Sequence, residues 1–395
     1  MPEHPLRIAL FTHSVNPRGG VVHTVELGEA LQALGHAVTL FLPTAPGQRL
    51  YRDTACATVA VPVPPADADL VTMAGRRIAA LEAALPGLLA ARPFDLLHAQ
   101  DTLSANALAT LQARGRIGDW VRTLHHLDDY ADPRLVAWQL RGVQAARHVL
   151  CVSDTWRDHL QQRLGLRGWR VHNGVNLRRF GPQRTVADAT LALPPGRPLC
   201  LTVGGIEARK NTHRIVQAFA RLHARQRGAR LCIAGGASLL PHEAEHQRYR
   251  AALAETGLSD APGGPVQRLG PVPDAQMPAL MRAADVLLMP SLNEGFGLVV
   301  LEALACGTPV VVPRRAPFTE HLPADDPAVH WCDDPHDADA IAAALAQALQ
   351  TRPFTPPAWL ATHGWDRSAR QHEALYRCFL PAPQALCAAD PLPLC

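Results

Sequence analysis

Residues 286–303, with the sequence VLLMPSLNEGFGLVVLEA, decide the fold. The apolar residues 286–289 predict a short buried strand, and the apolar residues from Leu298 onward predict a helix. A turn that contains Gly295 and Gly297 lies between them. Backbone N–H groups at the start of a helix, left uncovered by glycine, bind anions or sugar hydroxyls. This stretch therefore predicts a strand, a ligand-binding loop and a helix in succession.

The same alternation of apolar runs and helical segments extends along most of the chain. It predicts parallel sheets with helices on both faces, the α/β class. A stretch rich in proline, glycine and arginine, residues 173–198, interrupts the alternation and marks a linker between two domains. We expect the first domain at residues 1–180 and the second at residues 181–365. We also expect residues 366–380 to form a helix that crosses back to the first domain, and residues 381–395 to form a poorly ordered tail.

Short apolar runs predict the strands, and segments with helical periodicity predict the helices. The predicted strands are 6–12, 38–42, 56–63, 94–98, 121–124, 149–153, 199–203, 231–234, 266–269, 286–289 and 310–313. The predicted helices are 22–34, 69–89, 133–146, 211–227, 242–256, 274–284, 338–349 and 366–379.

Composition excludes several classes of protein. The net charge of +3, from 38 basic and 35 acidic residues, leaves no excess for nucleic-acid binding. The chain shows no secretory signal and no uninterrupted apolar run of about 18 residues, so we expect neither export nor a transmembrane segment. The nine cysteines are scattered, without CxxC pairs, and indicate a reducing cytoplasm. Peripheral membrane contact through Arg134, Trp138 and Arg141 is one interpretation of one amphipathic segment, and ordinary helix packing is the other.

Lys210 is the only lysine among the 38 basic residues, within the sequence GGIEARKN at 204–211. A compact ammonium that reaches a phosphate is not replaced by a planar guanidinium. The single lysine in a chain whose other basic residues are arginines is therefore a candidate phosphate-binding residue. The alternative is that this lysine lies on a surface loop and has no function.

Glu294 and Glu302 flank the start of the predicted helix. At the helical rise per residue their separation reaches about 12 Å. Carboxylates so far apart cannot share one water, which argues against a hydrolase pair. They can instead hold two ends of an elongated ligand. The alternative is that both are ordinary helix charges, with Glu294 favoured by the helix dipole.

This stretch resembles the Glu-x7-Glu motif of the family 4 glycosyltransferases, and the resemblance covers most of the chain. It implies the GT-B fold, two facing Rossmann-like domains, and a retaining transfer of sugar from a nucleoside diphosphate to an acceptor hydroxyl. It implies that Glu294 holds donor-sugar hydroxyls and that Glu302 holds the ribose. Residues Gly295, Phe296 and Gly297 would lie against the sugar and the diphosphate. Lys210 would neutralise the leaving diphosphate, with Arg209 beside it.

Two further matches concern glycines. Gly19 and Gly20 resemble the family's glycine loop, which approaches the donor phosphates from the first domain, although any tight turn explains such a pair. Where the family usually has an arginine, five residues before the lysine, this chain has Gly205. Arg209 or a cation from elsewhere would have to replace that guanidinium.

The segment LHHLDDY, residues 124–130, follows a predicted strand at the cleft edge of the first domain. The resemblance aligns His125 with a histidine of the family that contacts the donor sugar. His126 is the alternative assignment for that histidine. An imidazole there can bind a hydroxyl or relay a proton. A metal site with Asp128 and Asp129, or a polar loop before a helix, are the alternatives.

We therefore expect a cytoplasmic, retaining, metal-independent glycosyltransferase with the donor on the second domain, the acceptor on the first, and domain closure over both. His125, Glu294 and Lys210 are the candidate catalytic residues, and no protein nucleophile is assigned. The Asp-Ala-Asp stretches at 67–69 and 337–339 are interpreted as helix starts, not metal sites. The base, in a UDP, GDP or ADP donor, would be contacted by backbone at 235–236 and 269–271. An epimerase, a phosphorylase and a non-catalytic nucleotide-sugar-binding protein are the alternatives. An NAD-dependent dehydrogenase is a further alternative, but the first loop lacks the GxGxxG motif of such enzymes.

Overall fold

The computed structural model describes residues 4–66, 69–236, 242–351 and 354–380. The predicted tail at 381–395, and Asp67 of the first Asp-Ala-Asp stretch, lie outside the described residues. Within the described residues the strands form two sheets, and all the strand pairs are parallel. The expected α/β class with two Rossmann-like sheets is thus observed.

The first sheet has seven strands in the order β3-β2-β1-β4-β5-β6-β7. Its strands are β1 Arg7–Phe11, β2 Ala37–Thr44, β3 Ala57–Pro62, β4 Leu96–Ala99, β5 Val121–Leu124, β6 His148–Cys151 and β7 Gly168–Arg170. The chain moves outward from β1 to β3 and then returns to β4 on the other side of β1. Strand order therefore reverses between β1 and β4, which makes this place the topological switch point of the sheet.

The second sheet has six strands in the order β10-β9-β8-β11-β12-β13. Its strands are β8 Leu199–Val203, β9 Arg230–Ala234, β10 Val266–Gly270, β11 Val286–Leu288, β12 Val310–Pro313 and β13 Val329–Cys332. Strands β8 and β11 are neighbours, although more than 80 residues separate them in the chain. The loops that follow these two strands therefore meet at one edge of the sheet.

Helices cover both sheets. They are α1 Gly19–Ala33, α2 Leu70–Ala90, α3 Thr102–Ala113, α4 Pro133–Gln144, α5 Asp154–Leu164, α6 Val186–Thr190, α7 Thr212–Arg225, α8 Glu243–Thr256, α9 Met277–Ala283, α10 Leu298–Ala305, α11 Phe318–His321, α12 Ala338–Ala348 and α13 Trp365–Phe379. Short 3-10 segments occupy Ala208–Lys210, Asp274–Gln276 and Ala358–His363.

Side-chain caps explain where several helices begin. Asp69 accepts from the N–H of Thr72 at the start of α2, and Asp337 accepts from Asp339 at the start of α12. Such caps satisfy N–H groups that have no partner within the helix. The interpretation of the Asp-Ala-Asp stretches as helix starts is confirmed for the residues that the structure describes.

Helix α13 returns from the second domain to the first. Trp365, Ala369 and Tyr376 are buried in the same apolar cluster as strand β1, and the Tyr376 hydroxyl lies 2.7 Å from Nδ1 of His98. The linker passes this helix closely, because a Cβ at Gly174 would lie 2.5 Å from the backbone nitrogen of Trp365. The N–H of Val175 also donates to the carbonyl of His363, at 2.8 Å. The two connections between the domains thus run side by side.

Helix α4 carries the three residues considered for membrane contact. The Trp138 ring would be 3.3 Å from a Cβ at Gly75 of α2, and Arg141 bonds to Asn106 and Thr110 of α3. These contacts are those of a helix packed on its neighbours. Among the described helices, none combines the length and the apolar character needed to span a bilayer.

Candidate functional site

The site lies where the carboxyl ends of the two sheets face each other. A Cβ at Gly295, after β11, would lie 2.3 Å from the carbonyl oxygen of His125, after β5. Nearby, Nε1 of Trp156 on α5 donates to the Glu294 carbonyl at 3.2 Å. Only glycine allows so close an approach, so the loops of the two domains are in direct contact here.

Lys210 and Glu294 form a buried ion pair. The Lys210 Nζ lies 2.6 Å from Oε1 of Glu294, and the two side chains are 9% and 8% exposed. The lysine stem passes over Gly204, where φ is +134° and a Cβ would lie 2.5 Å from Cε of Lys210. The glycine at position 204 is therefore required for this lysine to reach the carboxylate.

Electrostatics favour the ionised carboxylate in this pair. Burial alone would raise the pKa of Glu294, but Lys210 and Arg209 bring that pKa below its ordinary value. Burial lowers the pKa of Lys210, and Glu294 offsets that effect in part. Because an isolated buried charge is costly, each of these two groups depends on the other to stay charged.

Arg209 is shared between two carboxylates. Its Nη1 lies 3.2 Å from Glu294, and its Nη2 lies 2.9 Å from Glu207. Gly205, at the place of the family arginine, has φ of +76°, and a Cβ there would lie 3.1 Å from the carbonyl oxygen of Gly236. A side chain at 205 would thus be strained, which gives a physical reason for the departure noted in the sequence.

The loop that contains Phe296 is held by aromatic packing. Phe296 is buried and stacks on His321 of α11 with the ring centroids 4.2 Å apart. Gly297 precedes α10, and a Cβ there would lie 2.6 Å from the Phe318 ring. His321 is itself 7% exposed, and burial, with the nearby His172 and His363, lowers its pKa to about 3, so the ring is neutral near pH 7. The loop thus packs against the rings of His321 and Phe318.

Glu302 lies on α10 among other acidic groups. Its pKa is raised to about 7, first by burial and then by the negative charges of Glu26 and Asp274, against the opposing charge of Arg179. Glu26 belongs to α1 of the first domain and Asp274 to the second, and Arg179 lies 2.6 Å from Asp274. The sequence did not indicate these neighbours, which come from three separate segments of the chain.

The N-terminus of α1 brings the glycine pair to the same place. Gly19 begins α1, and a Cβ there would meet nothing within 4 Å. A Cβ at Gly20 would lie 3.5 Å from the His125 ring. Arg18 lies just before α1. Burial lowers its pKa, Glu207 of the second domain opposes that effect, and Arg209 adds to it. The structure thus brings the glycine pair, His125 and the Lys210 loop to one cleft.

The two histidines differ in their surroundings. Nε2 of His125 lies 3.3 Å from Oε1 of Gln100, and burial, with the nearby cations, holds its pKa well below the ordinary value. It is therefore neutral near pH 7. His126 is 37% exposed and lies 3.4 Å from Asp128. Of the pair, His125 contacts both Gly20 and Gly295.

Two buried residues behind His125 were missed by the sequence analysis. The ring of His23 on α1 is 4.7 Å from that of His125, and its Nδ1 lies 2.8 Å from Oδ1 of Asn173 in the linker. A histidine on the buried side of a predicted helix was the available signal.

Elsewhere, one group of three possible metal ligands occurs in the described part of the chain, formed by Asp154, His172 and Glu320. Glu320 there accepts from the N–H groups of Asp154 and Thr155.

Known proteins share this fold over most of the chain. A family model described as Glycosyltransferase Family 4 matches residues 17–179, and one described as Glycosyl transferases group 1 matches residues 183–357. The solved structure of sucrose-phosphate synthase from Thermosynechococcus elongatus superposes with a TM-score of 0.76 over 95% of this chain and 99% of that one, at 24% identity. Anabaena HepE, solved with UDP-glucose, gives a TM-score of 0.65 over 94% of this chain and all of its own, at 17% identity.

Sequence relatives agree with the family models. A Mycobacterium tuberculosis protein named GDP-mannose-dependent alpha-(1-6)-phosphatidylinositol dimannoside mannosyltransferase is 28% identical over 88% of this chain and 87% of its own. A D-inositol 3-phosphate glycosyltransferase of Mycolicibacterium paratuberculosis is 34% identical over 52% of this chain and 46% of its own. With two matching models that together span both domains, the chain belongs to the family 4 glycosyltransferases of the GT-B fold.

Proposed function

We propose that this enzyme transfers a glycosyl group from a nucleoside-diphosphate sugar to an acceptor hydroxyl in the cleft between its two domains. The observation that carries the site assignment is the buried pair of Lys210 and Glu294, 2.6 Å apart, beside a loop that touches His125 of the opposite domain. A buried cation next to a carboxylate at a water-poor interface suits a reaction in which charge develops on a leaving diphosphate.

The donor roles follow from the positions of the charges. As the bond between the anomeric carbon and the diphosphate oxygen breaks, the electron pair goes to that oxygen. Lys210, with Arg209 beside it, stabilises the resulting negative charge. Glu294 binds hydroxyls of the donor sugar while it remains paired with Lys210. Residues 295–297 offer backbone to the sugar and diphosphate, and Glu302 accepts from the ribose hydroxyls.

The acceptor step uses no protein nucleophile. Glu294 is held ionised by two cations, and such pairing reduces its reactivity toward carbon, so we assign it a stabilising role for the oxocarbenium-like state. The acceptor oxygen forms its bond on the face that the diphosphate leaves, which retains the configuration. The acceptor proton passes to the leaving diphosphate, and neutral His125 orients the hydroxyls.

The nucleotide of the donor and the cellular compartment of the enzyme are also part of this proposal. One relative is named for GDP-mannose and one solved neighbour contains UDP-glucose, so GDP and UDP donors are the first to test. The cations at 209 and 210 let the enzyme bind the diphosphate without a metal. Six of the cysteines in the described residues are buried with free thiols, which suits the cytoplasm.

Calorimetric titration of the enzyme with UDP-, GDP- and ADP-sugars tests the donor assignment. We expect one base to bind clearly more tightly, and about 10- to 100-fold weaker binding of that donor to Lys210→Met, since a charge-assisted contact is lost. Arg92→Met is the control, because Arg92 is exposed and lies just before β4, at the amino ends of the strands, whereas the site lies at their carboxyl ends. Donor affinity unchanged in both Lys210→Met and Glu302→Gln would refute the assignment. Turnover with an acceptor then separates a transferase from a protein that only binds nucleotide sugars.

A further inference from the structure

A buried glutamine lies behind His125. Gln100 follows β4, its side chain is buried, and its backbone N–H donates to the carbonyl of Phe11 in β1 at 3.1 Å. Its side-chain oxygen, Oε1, lies 3.3 Å from Nε2 of His125, which is half-buried at the cleft. Buried amide oxygens normally accept a hydrogen bond. Within the described residues, the His125 ring is the partner of this oxygen.

The ring of His98 orients the amide of Gln100. The amide nitrogen, Nε2, lies 3.3 Å from Nδ1 and 3.2 Å from Nε2 of His98. These nearly equal distances place it over the face of the ring and not in line with either ring nitrogen. The face of an aromatic ring is negative, so it attracts an N–H group and repels an amide oxygen. The amide nitrogen of Gln100 is therefore directed to His98, and its oxygen to His125.

His98 is itself fixed at both ring nitrogens. Its Nδ1 lies 2.7 Å from the hydroxyl of Tyr376 on α13, and its Nε2 lies 2.7 Å from Oγ1 of Thr123 in β5. Burial holds its pKa well below the ordinary value, so the ring is neutral. Because rotation of this ring would break two hydrogen bonds in a buried place, His98 provides a rigid support for the Gln100 amide.

Two further contacts fix the position of the His125 ring. His23 packs edge-to-face against it, with the ring centroids 4.7 Å apart and an angle of 80° between the planes, and Nδ1 of His23 is held by Asn173. A Cβ at Gly20 would lie 3.5 Å from Cδ2 and 3.7 Å from Nε2 of His125. Within the described residues, the ring of His125 makes its one hydrogen bond through Nε2. Nδ1 is therefore the nitrogen that is left for a ligand.

The contact with Gln100 determines which nitrogen of His125 carries the proton. An amide oxygen only accepts hydrogen bonds, so Nε2 of His125 must donate, and a neutral imidazole has a single N–H. Burial, with nearby positive groups, holds the pKa of His125 well below its ordinary value, so the ring is neutral near pH 7. Nδ1 therefore presents a free lone pair.

We propose that Gln100 is a positioning residue that keeps the proton of His125 on Nε2, so that Nδ1 accepts a hydrogen bond from a hydroxyl of the donor sugar. The location of His125 favours the donor sugar, because its carbonyl oxygen would lie 2.3 Å from a Cβ at Gly295 of the donor loop. The role toward the sugar rests on the proposed function, whereas the protonation of the ring nitrogens does not. Gln100 acts through the histidine, from behind its ring.

Nitrogen NMR of the enzyme labelled with 15N in its histidine rings tests the position of the proton, because protonated and bare ring nitrogens resonate in separate ranges. The His125 signals are those that disappear in His125→Gln. We expect a protonated Nε2 in the wild type. In Gln100→Met this N–H has no acceptor, so the proton should move at least in part to Nδ1. A wild-type ring that is protonated at Nδ1 overturns the proposal even if Gln100→Met does not fold, and an unchanged ring in a folded Gln100→Met also overturns it.

Calorimetry then separates positioning from a general effect on the site. The probes are UDP-glucose and GDP-mannose, each compared with its nucleoside diphosphate, UDP or GDP. Gln100→Met should weaken binding of the nucleotide sugar by about 10-fold, the effect of one lost hydrogen bond, and should change binding of the diphosphate by less than about twofold. Equal weakening of both, or of neither, contradicts the role toward the sugar.

Gln112→Met is the matched control. Gln112 lies in the last turn of α3, is half-buried, and its Oε1 accepts from Nε1 of Trp120 at 3.0 Å. The same amide is lost there, so we expect a similar effect on stability but unchanged binding of every probe and an unchanged His125 spectrum. If no nucleotide sugar binds the wild-type enzyme, the proposed function is refuted, and the NMR measurement still decides whether Gln100 sets the protonation of His125.

Discussion

Replacing Gly295 by alanine tests the contact between the two domains. The new Cβ would lie 2.3 Å from the carbonyl oxygen of His125, whereas real Cβ contacts essentially never fall below 3.0 Å. The two loops must therefore separate by about 0.7 Å, the difference between these two distances. Since a misplacement of about 1 Å costs about 100-fold in rate, we expect kcat/KM to fall by about 10- to 100-fold, or about 1.4–2.7 kcal/mol of transition-state stabilisation.

The fold itself should tolerate this change. Gly295 is not among the residues with positive φ, so alanine fits its backbone and slightly restricts the unfolded chain. We therefore expect the melting temperature to remain close to that of the wild type. Gly118→Ala is the matched control, because Gly118 precedes β5 and a Cβ there meets nothing within 4 Å. A Gly295→Ala enzyme with wild-type kcat/KM, or one that loses stability as well as activity, would show that the contact does not govern cleft geometry.

Three further substitutions give separate tests. Because Glu302 has a pKa raised to about 7 from its ordinary 4.5, its ionisation destabilises the fold, so the wild type should lose stability relative to Glu302→Gln between about pH 5 and 8. Donor affinity should rise over the same window, since the ionised carboxylate accepts ribose hydroxyls, and calorimetry should show no such rise in Glu302→Gln. Gly19→Ala should fold normally, because a Cβ at Gly19 meets no protein atom within 4 Å, but should weaken donor binding by about 10-fold if phosphates lie against this turn; unchanged affinity removes Gly19 from the site. Tyr376→Phe removes the 2.7 Å partner of Nδ1 of buried His98 and leaves that atom only the longer 3.3 Å contact with Nε2 of Gln100, so it should cost about 1–3 kcal/mol in urea denaturation; no loss would mean that Gln100 or water replaces the hydroxyl.

Most central strands were predictable from sequence, and two edge strands were not. Strands β5, β8 and β12 have the predicted bounds. Strands β8 and β12 are largely apolar, as is typical of strands buried on both faces, whereas β5 also contains Arg122 and Thr123. Strand β7, Gly168–Arg170, was missed because none of its three residues is buried. Strand β13, Val329–Cys332, was missed because its half-buried middle residues are histidine and tryptophan.

The pairing within the candidate site was beyond the sequence. Lys210 and Glu294 were expected at different parts of the donor, on the diphosphate and on the sugar, but the structure joins them directly at 2.6 Å. Their contact depends on β8 and β11 being neighbours in the sheet, and strand order is not encoded in local periodicity. The acidic neighbours of Glu302 were hidden for the same reason, since they come from separate segments.

The parallel course of the linker and helix α13 has a mechanical consequence. The linker and the segment that leads into α13 both connect the two domains. These two connections are joined by the hydrogen bond from Val175 to His363 and by the close contact of Gly174 with Trp365. A connection that is fixed at one point permits rotation about that point and resists sliding. The two domains should therefore open and close by a hinge motion near Gly174, and a bulky residue at this position would alter that motion without contacting any reacting atom.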